Sequence, residues 1–94
     1  MDVRGVQKIH EFCKKHNQAL RPLEAWVQEV STATWSTTHD IKSRYPSADF
    51  LSDKRVVFNI KGNDYRLVVQ VVYVLGVVVI QQIGTHAEYD KWRL

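Results

Sequence analysis

Arg66, His86, Tyr89, Asp90 and Lys91 are the side chains of this sequence whose types suit proton transfer beside a stabilised anion, and the last four fall within the stretch GTHAEYDK at 84–91. An imidazole exchanges protons near neutrality. A phenol donates or accepts a hydrogen bond, and a guanidinium stays charged and only donates. Brought together, such groups can take and return protons at a reacting centre. Singly, each has a plainer use: a histidine just past a strand is usually a hydrogen-bonded surface residue, and a tyrosine there a partial plug of the core.

Whether they converge depends on the elements that carry them. Val3, Val6, Ile9, Phe12 and Cys13 recur at spacings of three and four, which predicts an amphipathic helix over 3–16. Leu20, Leu23, Trp26, Val27 and Val30 predict a second helix over 18–31, with Pro22 in its first turn. Thr37 and Asp40 have the spacing of a capping box and open a third over 38–44, stopped before Pro46. The apolar period then changes to two. Strands are predicted over 55–61, 65–73 and 77–83, with an extra edge strand over 48–51. Helices followed by strands imply an α+β fold, a single domain over 1–94 in which N-terminal helices pack on one face of a small antiparallel sheet.

A turn at Gly62-Asn63 would pair Ile60 with Tyr65, Asn59 with Arg66 and Phe58 with Leu67. Phe58, Ile60, Tyr65, Leu67, Val69 and Val71 then share the face that meets the helices, and Arg55, Asn59, Lys61, Arg66 and Gln70 share the other. A turn at Leu75-Gly76 would bring Gln81 beside Gln70 and Thr85 beside Arg66, so that His86 and Tyr89 leave the sheet next to the cations. Polar residues of this kind equally suit the solvated side of a half-buried sheet.

Composition narrows the classes. The net charge of +3 is compatible with a nucleic-acid partner if clustered, and the single cysteine, Cys13, lies on the apolar stripe of the first helix and cannot form an internal disulfide. Charges at the start of the chain, MDVRGVQKIHEF, argue against an export signal, and the apolar run from Leu67 to Ile80 is interrupted by Gln70 and Gly76, so a membrane span is not expected and the cytoplasm is. His10 and His16 fall on different sides of a helix, so no metal site and no cofactor are expected.

FNIKGNDYRLVV at 58–69 and GTHAEYDK at 84–91, together with PLEAWVQEV at 22–30 and TWSTTHDIKSRYPSADFL at 34–51, resemble the HigB-type mRNA interferase toxins of the RelE/ParE superfamily. The resemblance implies a small microbial-RNase-like fold and a ribosome-dependent endoribonuclease made with a cognate antitoxin, itself a helix-turn-helix DNA-binding protein. It also implies partners in mRNA and the ribosome, and no metal. Site residues carried over by position are Asn59, Lys61, Arg66, His86 and Tyr89.

RNA brings its own nucleophile, the ribose 2′-OH, so cleavage needs a base, an acid for the 5′-oxygen and positive charge at the phosphate. In that frame Lys61, Arg66, His86 and Tyr89 are the catalytic set, with His86 moving protons, Tyr89 sharing that role or orienting the ribose, and Lys61 and Arg66 stabilising phosphoryl charge. Lys54, Arg55, Asn59, Gln81 and Lys91 are the expected RNA contacts. The chain departs from the resemblance at Gln81-Gln82, where superfamily relatives use a basic residue, and in the bulky tail Trp92-Arg93-Leu94. A non-catalytic gyrase poison on the same scaffold, or an impaired RNA-binding homologue, is the alternative reading.

Overall fold

The computed structural model describes residues 1–94. Its strands are β1 (Asp2–Arg4), β2 (Asp49–Phe50), β3 (Arg55–Ile60), β4 (Tyr65–Val72) and β5 (Val77–Thr85); its helices are α1 (Gln7–Cys13), α2 (Leu20–Thr32), α3 (Thr38–Arg44) and α4 (His86–Tyr89). The sheet order is β1-β5-β4-β3-β2. Three antiparallel pairs make up most of it, and β1 adds in parallel to β5. The fold is α+β, with a mixed sheet where an antiparallel one was expected.

The N-terminus is where the helical reading of 3–16 fails. Residues Asp2–Arg4 are a strand, and the first helix covers only Gln7–Cys13. Val3 and Val6 sit at helical spacing, yet both are also packed on the core from a strand and its turn. Gly5 makes the change of direction, at φ +89, with its Cα so close to Ile80 that a Cβ would lie 3.0 Å from the Ile80 carbonyl oxygen. The Met1 ammonium ties this end to the C-terminus of α2 by donating to the carbonyls of Val30 and Ala33.

The helices lie on one face because their apolar stripes meet the apolar strand positions. Leu23, Trp26 and Val30 of α2, Ile9 of α1 and Ile41 of α3 are buried together with Phe58, Ile60, Tyr65, Leu67, Val69, Val71, Val78 and Ile80. Phe58 is the centre of an aromatic cluster, edge-on to Trp26 and Tyr45 and stacked with Trp35. Thr37 and Asp40 form the capping box that starts α3.

The β3–β4 register is the expected one, with Asn59 opposite Arg66, though four residues, Lys61–Asp64, make the turn. The β4–β5 register is different. Tyr73–Gly76 also form a four-residue turn, so Val79 lies opposite Gln70; then a bulge at Val68/Val69 absorbs one extra residue, Gln81, and Gly84 lies opposite Arg66. A slip of two keeps faces, whereas the bulge exchanges them. Hence Gln82 faces Val68, and Gln81 is the exposed bulge residue. No helix is long and apolar enough to cross a membrane.

Candidate active site

The last strand runs straight into α4, whose start is built by the sequence THAE. The Thr85 hydroxyl accepts from the Glu88 N–H, and the Glu88 carboxylate accepts from the Thr85 N–H, a second capping box. The His86 N–H donates to the Asp64 carbonyl in the β3–β4 turn at 3.1 Å. These bonds aim one turn of helix, too short to stand alone, so that its residues return to β4.

Arg66 receives them. It is the buried charged side chain of the molecule, 8% exposed. Its Nη1 donates to the carbonyls of Asn63 at 2.9 Å and Tyr65 at 3.2 Å, and its Nη2 lies 2.6 Å from His86 Nδ1. The guanidinium carbon sits over the Tyr89 ring, 5.6 Å from the centroid, in cation–π range. No carboxylate pairs with it. Such a cation is costly to bury unless its donors are satisfied, and here the neighbours are two carbonyls, an imidazole and a π face. His86 Nε2 lies 3.6 Å from Asp90 Oδ2, which completes the order Arg66, His86, Asp90.

The tail closes over this group. Trp92 meets Tyr89 edge to face, with centroids 5.8 Å apart. Its ring lies where a side chain at position 84 would project: a Cβ on Gly84 would overlap the indole. Arg55, on β3, donates from Nη2 to the Leu94 carbonyl at 2.8 Å. The tail therefore passes from β5 to β3 across the face that carries Val57 and Val68, both buried and both outside the cluster that meets the helices. The face expected to be open is thus partly roofed by Trp92–Leu94.

The remaining sequence-derived residues scatter. Lys61 Nζ donates to Gln18 in the turn before α2 at 2.9 Å and lies 3.8 Å from Asp64, so it serves the helix side and not the Arg66–His86 pair. Asn59 donates to the Ser47 carbonyl, and Arg55 holds Ser52 as well as Leu94. Lys54 and Lys91 are exposed, as is Gln81, whose carbonyl accepts from Lys8. Reasoning from the sequence missed Trp92 and the helical form of His86–Tyr89. The spacing of Thr85 and Glu88 carried the second, by the same pattern that located α3.

None of the four hollows of the surface includes Arg66, His86 or Tyr89; the one that touches Asn59 and Lys61, about 210 Å³, opens between α2 and β3. The Arg66 group is a shallow face. Chemically, it offers a fixed cation, an imidazole bonded to it through Nδ1 and facing a carboxylate with Nε2, and a phenol.

The family described as HigB_toxin, the RelE-like toxic component of a toxin-antitoxin system, matches residues 19–92. The chain is 29% identical over 84 residues to the mRNA interferase toxin HigB of Escherichia coli K12, an alignment that covers 87% of this chain and 81% of the relative. The mRNA interferase HigB of Escherichia coli O157:H7 and that of Shigella flexneri match to the same extent.

Proposed function

The chain belongs to the HigB family of RelE-like toxins, and from that premise we propose that it is an endoribonuclease that cuts mRNA on the ribosome and so inhibits translation. The observation that carries the reading is the Arg66 guanidinium, buried without a carboxylate and hydrogen-bonded to the imidazole of His86. The relatives named above carry the name mRNA interferase, which fits the same chemistry. An inhibitor that works by binding alone has no use for proton-transfer groups beside a buried cation.

In this reading Arg66 stabilises the charge that develops on the phosphoryl oxygens, His86 and Tyr89 handle protons, and the 2′-OH of the substrate is the nucleophile, so no metal is called for. Because the face is shallow, the reacting geometry must come from elsewhere. A ribosome that holds mRNA in place supplies that positioning. Lys54 and Lys91, both exposed, meet RNA phosphates, and Lys61, engaged with Gln18, contributes to binding more than to the reacting centre. The partner that restrains the toxin is a cognate antitoxin, of helix-turn-helix type, and both act in the cytoplasm.

The test is cleavage of mRNA by the purified chain on translating ribosomes, with 5′ ends mapped. Removing one preorganised donor of this type costs on the order of 3 kcal/mol in the barrier, roughly a hundredfold in rate. Arg66→Ala is expected to lose that much, and wild-type cleavage by this variant would remove Arg66 from the reaction.

A further inference from the structure

The contact between Arg66 and His86 has a direction. A guanidinium carries five N–H donors, no acceptor, and keeps its proton at any pH a protein survives. In the 2.6 Å contact Nη2 is therefore the donor, and His86 Nδ1 presents its lone pair. The ring proton is then on Nε2, which faces the Asp90 carboxylate at 3.6 Å. The same sense is enforced from both sides: Arg66 on β4 and Asp90 at the end of α4 are the charged groups that face the ring, while the peptide groups of His86 are fixed by Asp64 and Asp90. In this state the imidazole has no free lone pair. Its one basic position is covered by a cation.

We propose that His86 is the general base of the reaction, working through Nδ1, and that Arg66 keeps this nitrogen covered until a phosphodiester draws the guanidinium away. The proposal rests on the ribonuclease reading and assigns its atoms. A phosphoryl oxygen is an anionic acceptor, so its bond to the guanidinium joins two opposite charges, an attraction that the neutral Nδ1 does not offer. RNA at the site thus competes with Nδ1 for the Nη2 donor, while Nη1 remains anchored on the carbonyls of Asn63 and Tyr65, which limits the adjustment to the end of one side chain.

The freed lone pair is then next to the phosphate that released it. Nδ1 takes the proton of the ribose 2′-OH, the 2′-oxygen forms its bond to phosphorus, and the bond from phosphorus to the 5′-oxygen breaks. The departing oxygen takes a proton from the Tyr89 hydroxyl, which regains one as His86 returns its own through solvent. The products are a 2′,3′-cyclic phosphate and a 5′-hydroxyl. Asp90 acts as a positioning residue, since its carboxylate faces Nε2 at 3.6 Å and balances the charge of the imidazolium formed. The substrate is in this way its own switch: the base is masked in the free protein and bared where a phosphate is bound.

The experiment uses the full ¹⁵N-labelled chain and short single-stranded 2′-O-methyl RNA, which has phosphodiesters and no nucleophile. In the free chain the imidazole ¹⁵N signals of His86 should show Nε2–H and a hydrogen-bonded Nδ1. On titration with the RNA, Nδ1 should move downfield together with the Arg66 guanidinium signals, while Nε2 keeps its proton. An Nδ1–H tautomer in the free chain would overturn the proposal, as would Arg66 signals that move while Nδ1 does not. RNA that moves neither signal would overturn it too, because a phosphodiester would then be no competitor for the guanidinium. A chain that cuts mRNA on ribosomes with Nδ1 unmoved sinks this proposal alone; one that shows the shift and leaves mRNA whole sinks the ribonuclease reading and keeps the masked tautomer.

Discussion

On the helix side of the sheet, Phe58, Leu67, Val69, Val71, Val78 and Ile80 are buried against three helices, and each touches several apolar neighbours. On the other side, Val57 and Val68 are buried, and the polar group beside them is held by a few directional bonds: Arg66 with His86 and the carbonyls of Asn63 and Tyr65, Thr85 with Glu88, Arg55 with Ser52 and the Leu94 carbonyl. The first arrangement is redundant, since apolar burial is non-directional and roughly additive in area. The second is not, because a hydrogen bond depends on angle and on one atom. One side of this sheet therefore holds the molecule together, while the other holds a few atoms in place on a thin support.

The largest test of that contrast is Phe58→Ala. Phe58 is 1% exposed and packs with Trp26, Trp35 and Tyr45 at centroid distances of 5.3, 6.1 and 5.0 Å. Truncation leaves a cavity and should cost about 3–5 kcal/mol of stability by urea unfolding. Next in size is Thr85→Ala, which removes one half of the α4 capping box. Loss of such a cap costs about 1 kcal/mol. Here the cost should fall on α4 alone, seen as faster amide exchange from His86 to Asp90 with the exchange of β4 unchanged. Equal slowing or acceleration across the whole sheet would erase the distinction between the two sides.

How much of this was legible beforehand follows the same division. Phe58, Ile60, Tyr65, Leu67, Val69 and Val71 were placed on the helix face by alternation alone, and all six are in the core. A period-two pattern survives a register slip of two residues, so the longer β4–β5 turn did no harm to the faces. The bulge at Gln81 did, because no local pattern marks where an extra residue will be accommodated; the slip alone would have set Ile83 opposite Arg66, and the bulge puts Gly84 there where Thr85 was expected. Asp2–Arg4 were unreadable as strand for a related reason: their partner Val77–Val79 lies far along the chain, and three residues carry too little periodicity. The side-chain group at Arg66 was suggested by residue types, whereas Lys61 was drawn in by strand parity that its left-handed turn, φ 53, does not obey.

Gly84→Ala should separate support from site more finely. The added methyl would overlap the outer edge of the half-buried Trp92 indole and would also lie 3.3 Å from the Glu88 Cβ. The chain can relieve this by moving Trp92, so stability should change by less than about 1 kcal/mol. Tyr89 would lose the ring that backs it against Arg66. Cleavage should therefore fall with little change in unfolding midpoint, and tryptophan emission should shift red as Trp92 moves into water. An unfolding midpoint that falls as far as in Phe58→Ala would mean that the tail is a structural layer in its own right.

Acid should act on both sides, and weakly. Backbone N–H donation from Thr85 leads the causes that hold Glu88 below its usual 4.5, and the Tyr45 hydroxyl leads those that hold Glu29 below the same value. For a carboxylate depressed by folding, the unfolded chain binds more protons across the window between the two values, so stability rises with pH there. The contribution is complete above the ordinary 4.5 and is lost as pH falls through the lower folded values. Both carboxylates are near the surface, which keeps each effect below about 1 kcal/mol. Their readouts differ, however. Glu29 joins α2 to Arg44 and Tyr45, whose own hydroxyl is pushed well above its ordinary range by burial and by that carboxylate, so Glu29→Gln should flatten the acid limb of global unfolding. Glu88→Gln keeps an acceptor for the Thr85 N–H but removes the charge, and should flatten only the acid dependence of amide exchange in α4. A global shift from Glu88→Gln would show that one turn of helix carries more of the fold than its few bonds account for.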